Sequence, residues 1–174
     1  MSHEHHEGCS CAHPTDDTAV MIGQAQNLTH LAQHWLTRSR PDLAAPFVDL
    51  AQTLLHKAQA TNSEQQFWLI TVKIGLAQAR EAKATAVRHA RAGLALARRL
   101  VEDADPISAI ACANLGEVLL EIDNPPQEEA RELINRAIAV FSDPSTVSEK
   151  YNAGYLNAGA AHFHGVEGDH HTHH

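Results

Sequence analysis

The sequence predicts an all-α protein of about seven helices, on three observations. First, the 174 residues are 44% hydrophobic but only 5% aromatic. The apolar content is therefore mostly alanine and leucine, and alanine is the strongest helix former. β-Branched and aromatic residues are too sparse for an all-β domain. Second, apolar residues recur at helical spacing between residues 19 and 162, in segments separated by Pro, Asp, Asn and Ser. Third, one pattern of bulky and small residues repeats along those segments.

The elements follow in order. Asp16, Asp17 and Thr18 offer N-caps to a first helix over Ala19–Leu36. Ser39–Arg40–Pro41–Asp42 breaks it, and a second helix runs to about Ala58. Pro46 is expected in or near its first turn, where a missing N–H costs least. Thr61–Asn62–Ser63 caps a third helix that reaches about Arg80, and a fourth runs from about Lys83 to Val101. Asp103 and Asp105–Pro106 open a fifth, to Ile122. Asp123–Asn124–Pro125–Pro126 separates it from a sixth, to Phe141. Asp143–Pro144 and Ser145 start a seventh that ends near His162. Three segments result: a polar tail over 1–15, a helical domain over 16–163 and a second tail over 164–174.

The repeat has two parts. A bulky residue followed by a small one occurs at Leu31–Ala32, Ile74–Gly75, Leu115–Gly116 and Ala153–Gly154. A stripe with offsets of four and three follows the first three, at Ala44–Val48–Ala51, Ala90–Leu94–Ala97 and Ala130–Ile134–Ala137. Each stripe is one helical face. Small residues on facing helices allow close antiparallel approach. This pattern resembles the tetratricopeptide repeat, most clearly at NLGEVLLE and ARELINRAIAVF in residues 114–141. The long repeat and the Asp-Pro before its first helix (Asp105–Pro106, Asp143–Pro144) resemble the kinesin-light-chain variety. Gln78 departs from it, standing where a large packing residue is usual. The resemblance implies a right-handed helical solenoid that presents a groove to a protein client, and no catalysis.

Charge and histidine are concentrated at the ends. The formal net charge is −8. Glu4, Glu7, Asp16, Asp17, Glu167 and Asp169 carry most of it, so the body is nearly neutral. A near-neutral body lacks the basic footprint of a nucleic-acid binder. No apolar run is long enough for a transmembrane helix. The first residues, MSHEHHEGCSCAHP, lack the charged and apolar regions of a secretory signal, so a cytoplasmic address is expected.

Four histidines and two cysteines crowd the first segment: His3, His5, His6, Cys9, Cys11 and His13. Six histidines crowd residues 162–174: His162, His164, His170, His171, His173 and His174. Imidazole and thiolate converging at about 2.0–2.3 Å hold zinc, and the same donors suit nickel and copper. The Cys-x-Cys spacing of Cys9 and Cys11 is not the Cys-x-x-Cys of a rigid zinc knuckle, so an exchangeable site is expected. If the initiator Met is removed, His3 becomes the second residue and can join the free amine in a square-planar copper or nickel chelate. The C-terminal cluster is irregular and mirrored at the other end, unlike an uninterrupted affinity tag. Solubilising tails remain the alternative for both clusters. These twelve residues are the candidate metal ligands, for nickel or zinc first and copper after them. Neutral imidazole binds and imidazolium does not, so capture should weaken below about pH 6.

The remaining candidates lie in the body. His30 and His34 are four apart on one helical face and can grip a metal or pack beside Leu31 and Trp35. His56 and His89 read as ordinary surface residues, and Cys112 as a small buried hydrophobe. Arg88, Arg91 and Arg98 form a basic stripe, either solvated or a dock for an acidic partner. No phosphate-binding glycine loop or nucleophile motif is present, so the chain reads as a non-enzyme. The tails resemble histidine-rich nickel chaperones, which implies that metal is handed to a protein client.

Overall fold

A computed structural model describes the backbone of residues 14–145 and side chains from residue 17. Over this range the protein is all-α. Six helices are described: α1 (Pro14–Leu36), α2 (Pro41–Lys57), α3 (Glu64–Ala79), α4 (Lys83–Leu100), α5 (Pro106–Glu121) and α6 (Gln127–Phe141). No strand occurs among the described residues. The seventh helix expected after Ser145 falls outside them. None of the described helices is long and apolar enough to cross a membrane.

The capping chemistry sets several boundaries. Ser63 Oγ accepts from the Gln66 N–H at 3.2 Å before α3. The Asp105 carboxylate accepts from the Ile107 N–H at 2.8 Å, with Pro106 in the first helical position. Both satisfy amides that a helix start leaves without a partner. Two boundaries differ from the sequence reading. Helix α1 begins at Pro14 rather than Ala19, because proline is well suited to a first helical turn. Pro41 likewise opens α2, which moves Pro46 beyond the first turn. There proline forgoes the helical bond to the carbonyl of residue 42.

Three connections close in the same way. Ser39, Gln59 and Glu81 take left-handed conformations at φ near 56°, 53° and 56°. The next amide then reaches back five residues: Arg40 to the Trp35 carbonyl, Ala60 to Leu55 and Ala82 to Ala77. This is the 6→1 bond of a Schellman cap, formed here without glycine. A left-handed non-glycine residue costs about 1–2 kcal/mol.

Packing divides the described residues into two compact units, with the boundary between Leu69 and Ile70 inside α3. In the first, α1 packs on α2. Ala25, Thr29 and Ala32 are buried on α1, and Ala44, Val48, Ala51 and Leu55 on α2. The Thr29 hydroxyl donates to the Ala25 carbonyl at 2.8 Å, which satisfies it within the helix. Gln52 and Gln66 exchange two amide hydrogen bonds, at 2.9 and 3.1 Å, and join α2 to the start of α3.

In the second unit α5 packs against both α4 and α6. Twelve of its sixteen residues are buried, so it is apolar nearly all round. Helices α4 and α6 bury one face each, and that face carries Ala90, Leu94, Ala97, Ala130 and Ala137. A Cβ added at Gly116 would stand 2.7 Å from Ile134 Cγ1 and 3.1 Å from the Ala130 carbonyl oxygen. Glycine is thus required there by the close approach of α5 and α6. Polar links join helices two apart. Gln78 of α3 donates to Glu121 of α5 at 2.8 Å, 43 residues away. Arg91 of α4 donates to Glu129 of α6 at 3.1 Å, 38 residues away.

Candidate functional site

The candidate metal ligands His3, His5, His6, Cys9, Cys11, His13, His162, His164, His170, His171, His173 and His174 lie outside the described residues. What the structure places is the helical body between the two clusters. Among the described residues no three His, Cys, Asp or Glu side chains converge as a metal site.

His30 and His34 are exposed on α1. Their surroundings differ. The Arg38 guanidinium lies 2.9 Å from His34 Nδ1, the geometry of an Arg donor to an imidazole acceptor. In that arrangement Nδ1 is occupied and a positive charge sits beside the ring. Both effects disfavour a dication at this pair. The His34 ring also meets Trp35 edge-on, with centroids 5.4 Å apart. His56 is exposed in the last turn of α2. His89 is partly buried on α4. Burial pushes its pKa below the usual imidazole value, and Lys73 and Arg88 add to that.

The basic stripe of α4 is not uniformly free. Arg91 is paired to Glu129 across the helices. Arg98 instead faces Cys112. These two residues, with Asp103, Ser108, Ala109 and Arg136, line one small pocket. Ser108 and Cys112 are one helical turn apart on α5, so they share a face. Arg98 comes from the last turn of α4, Asp103 from the loop before α5, and Arg136 from α6. Arg136 lies 3.8 Å from Asp103. Burial raises the Cys112 thiol above its usual pKa, and the nearby Arg136 and Arg98 oppose that rise without cancelling it. The thiol is therefore neutral near pH 7.

Sequence reading singled out Cys112 and Arg98 separately and did not join them. The Ser108–Cys112 spacing was available as a signal. The approach of Asp103 and Arg136 was not, because it depends on how α6 and the loop pack. No protein-family model matches this chain, and no curated protein shows significant similarity to it.

Proposed function

We propose that this chain is a transition-metal-binding protein, for nickel or zinc first and copper after them. In this reading it works in the cytoplasm as a metallochaperone or metal store. The two clusters hold the ion as cargo, and the helical body docks a protein client. One observation carries it. Ten of the fourteen histidines and two of the three cysteines fall within two short terminal segments. Borderline metals favour that mixture of imidazole and thiolate. Ligand exchange then moves a loosely held ion to a client site with better geometry, with no covalent intermediate and no catalysis.

A tetratricopeptide-like body is the second half of the proposal. Its support is architectural. The three small–bulky–small stripes lie on α2, α4 and α6, and their alanines are all buried. Three successive connections use one turn geometry. The links from α3 to α5 and from α4 to α6 span 43 and 38 residues, close to the spacing of the sequence signature. Stacked repeats contact their neighbours in this way.

The test is a competitive titration of the full chain with Ni²⁺, Zn²⁺ and Cu⁺ under reducing conditions. A full-length variant with the twelve ligands changed to Gln or Ser is the control. Tight, stoichiometric binding lost in the variant supports the reading. Weak binding that is the same in both proteins overturns it and leaves a protein-interaction scaffold.

A further inference from the structure

Helices α4 and α6 carry the same stripe in the same register and are covered differently. Ala90–Leu94–Ala97 of α4 recurs 40 residues later as Ala130–Ile134–Ala137 of α6. One edge of the α4 stripe meets the helices that follow it. Leu94 is only 7% exposed. Arg98 lines a small pocket with Ser108, Ala109 and Cys112 of α5, and Arg91 donates to Glu129 of α6 at 3.1 Å. On α6 that edge carries Ile134 and Ile138, in the register of Leu94 and Arg98. Ile134 is part-buried, and Ile138 is 46% exposed where α4 has an arginine. A lone exposed isoleucine is ordinary. Ile138 instead shares a helical face with Ile134 and Phe141, four residues before it and three after.

The chain beyond α6 also starts as α5 does. Before α5, the Asp105 carboxylate accepts from the Ile107 N–H at 2.8 Å across Pro106, which is a helix N-cap. After α6, the Asp143 carboxylate accepts from the Ser145 N–H at 2.9 Å across Pro144, and from the Ser145 hydroxyl at 2.7 Å. The two aspartates are 38 residues apart, the span of the Arg91–Glu129 link. Residues 146–162 come next, joined to Phe141 by four residues. Their 17 residues match the 15 to 18 of helices α3 to α6. Val147, Tyr151, Tyr155, Ala158 and His162 recur among them at helical spacing.

We propose that the Ile134–Ile138–Phe141 face of α6 is the docking surface for residues 146–162 of the same chain, which pack on α6 as α5 packs on α4. A short connection makes neighbouring helices antiparallel. Val147 then lies near Phe141, and Tyr151 near Ile138. Removing these apolar side chains from water drives the docking. The last turn of the docked segment carries His162, so the C-terminal histidine cluster leaves from a fixed point on the second unit. The proposal rests on the repeat-like body of the proposed function and not on its metal site.

The test is nuclear Overhauser spectroscopy on the metal-free full chain, labelled at isoleucine methyls and tyrosine rings. The chain's two tyrosines, Tyr151 and Tyr155, both lie in the segment, so every tyrosine contact reports on it. Cross-peaks from Tyr151 to the Ile138 δ1 methyl are expected. The internal control is the cross-peak from Ile134 to the Gly116 α protons, because these residues meet where α5 and α6 pack. Ile138→Asp should return both tyrosine ring signals to random-coil positions while the control is retained. Should that variant fail to fold, Tyr151→Ser is the second one. It should shift the Ile138 methyl signal and leave the control unchanged. A control cross-peak without any tyrosine cross-peak overturns the docking and spares the repeat-like body. Loss of both in the unaltered chain overturns the body, and the docking with it. Tyrosine cross-peaks found only between differently labelled chains assign the face to a second copy and also overturn the proposal.

Discussion

Helices α1 and α5 each carry an interior glycine, and the two glycines differ completely. A Cβ at Gly23 would meet nothing within 4 Å, whereas one at Gly116 would drive into Ile134 and the Ala130 carbonyl. The helices around them differ in the same sense. Helix α5 is covered by α4 and α6 and buries leucine, isoleucine and valine on most sides. Helix α1 buries Ala25, Thr29 and Ala32 but leaves Val20 and Leu31 at 57% and 45% exposure. The lesson is that a bulky–small pair has no fixed structural meaning. Leu115–Gly116 is wholly interior, while Leu31–Ala32 places the alanine inside and the leucine outside. Packing partners decide which member is buried.

The largest effects should come from breaking this contrast. Leu115→Ala should cost about 2–5 kcal/mol, the range for a truncated core leucine. Leu31→Ala should change stability by no more than about 0.5 kcal/mol, as for a surface site. Chemical denaturation of both variants measures the difference. Equal costs would show that α1 is covered in solution as α5 is.

The glycines give the next effect. Gly116→Val should destabilise by about 1–3 kcal/mol through overpacking, because Ile134 and the α6 backbone must give way. Gly23→Ala should instead stabilise by about 0.5–1 kcal/mol, since alanine is the better helix former and the site is open. Opposite signs in thermal melts would sharpen the contrast, and matching signs would refute it.

A smaller gain is expected at the turns. Glu81→Gly removes a left-handed non-glycine residue and should stabilise by up to about 1 kcal/mol, less the extra freedom gained by the unfolded chain. The smallest effect is on pH dependence. His89 has its pKa lowered by burial, then by Lys73 and Arg88. The folded state thus favours neutral His89. Its contribution is fully present above the unfolded imidazole value, near 6.5, and is lost as pH falls below it. His89→Gln should flatten the decline in stability between about pH 6.5 and 5. An unchanged slope would assign the decline to other groups.

Much of the helical body was legible in the sequence. The boundaries near Lys83, Pro106 and Phe141 follow from Pro, Asp and apolar period. The stripes on α2, α4 and α6 mark buried faces, because four-and-three spacing fixes a helical face whatever packs on it. Three things were not legible. The early start of α1 lies in a polar stretch with no apolar period to mark it. The left-handed turns at Ser39, Gln59 and Glu81 carry no glycine, which is the usual sign of such a cap. The pocket at Cys112 is assembled from α4, a loop, α5 and α6, so its parts meet only through packing. For the candidate metal ligands the situation is reversed. The density of His and Cys is plain in the sequence, and all twelve lie outside the described residues.

The metal-binding proposal rests on a contrast between the ends and the body. It is tested most directly by following backbone amide signals of the ¹⁵N-labelled full chain while Zn²⁺ is added at pH 7.5. Signals from residues 3–13 and 162–174 should shift until a fixed stoichiometry is reached. Signals from α2 to α6, and from His30 and His34 on α1, should stay in place. Shifts centred on His30 and His34, or none at the two ends, would contradict it.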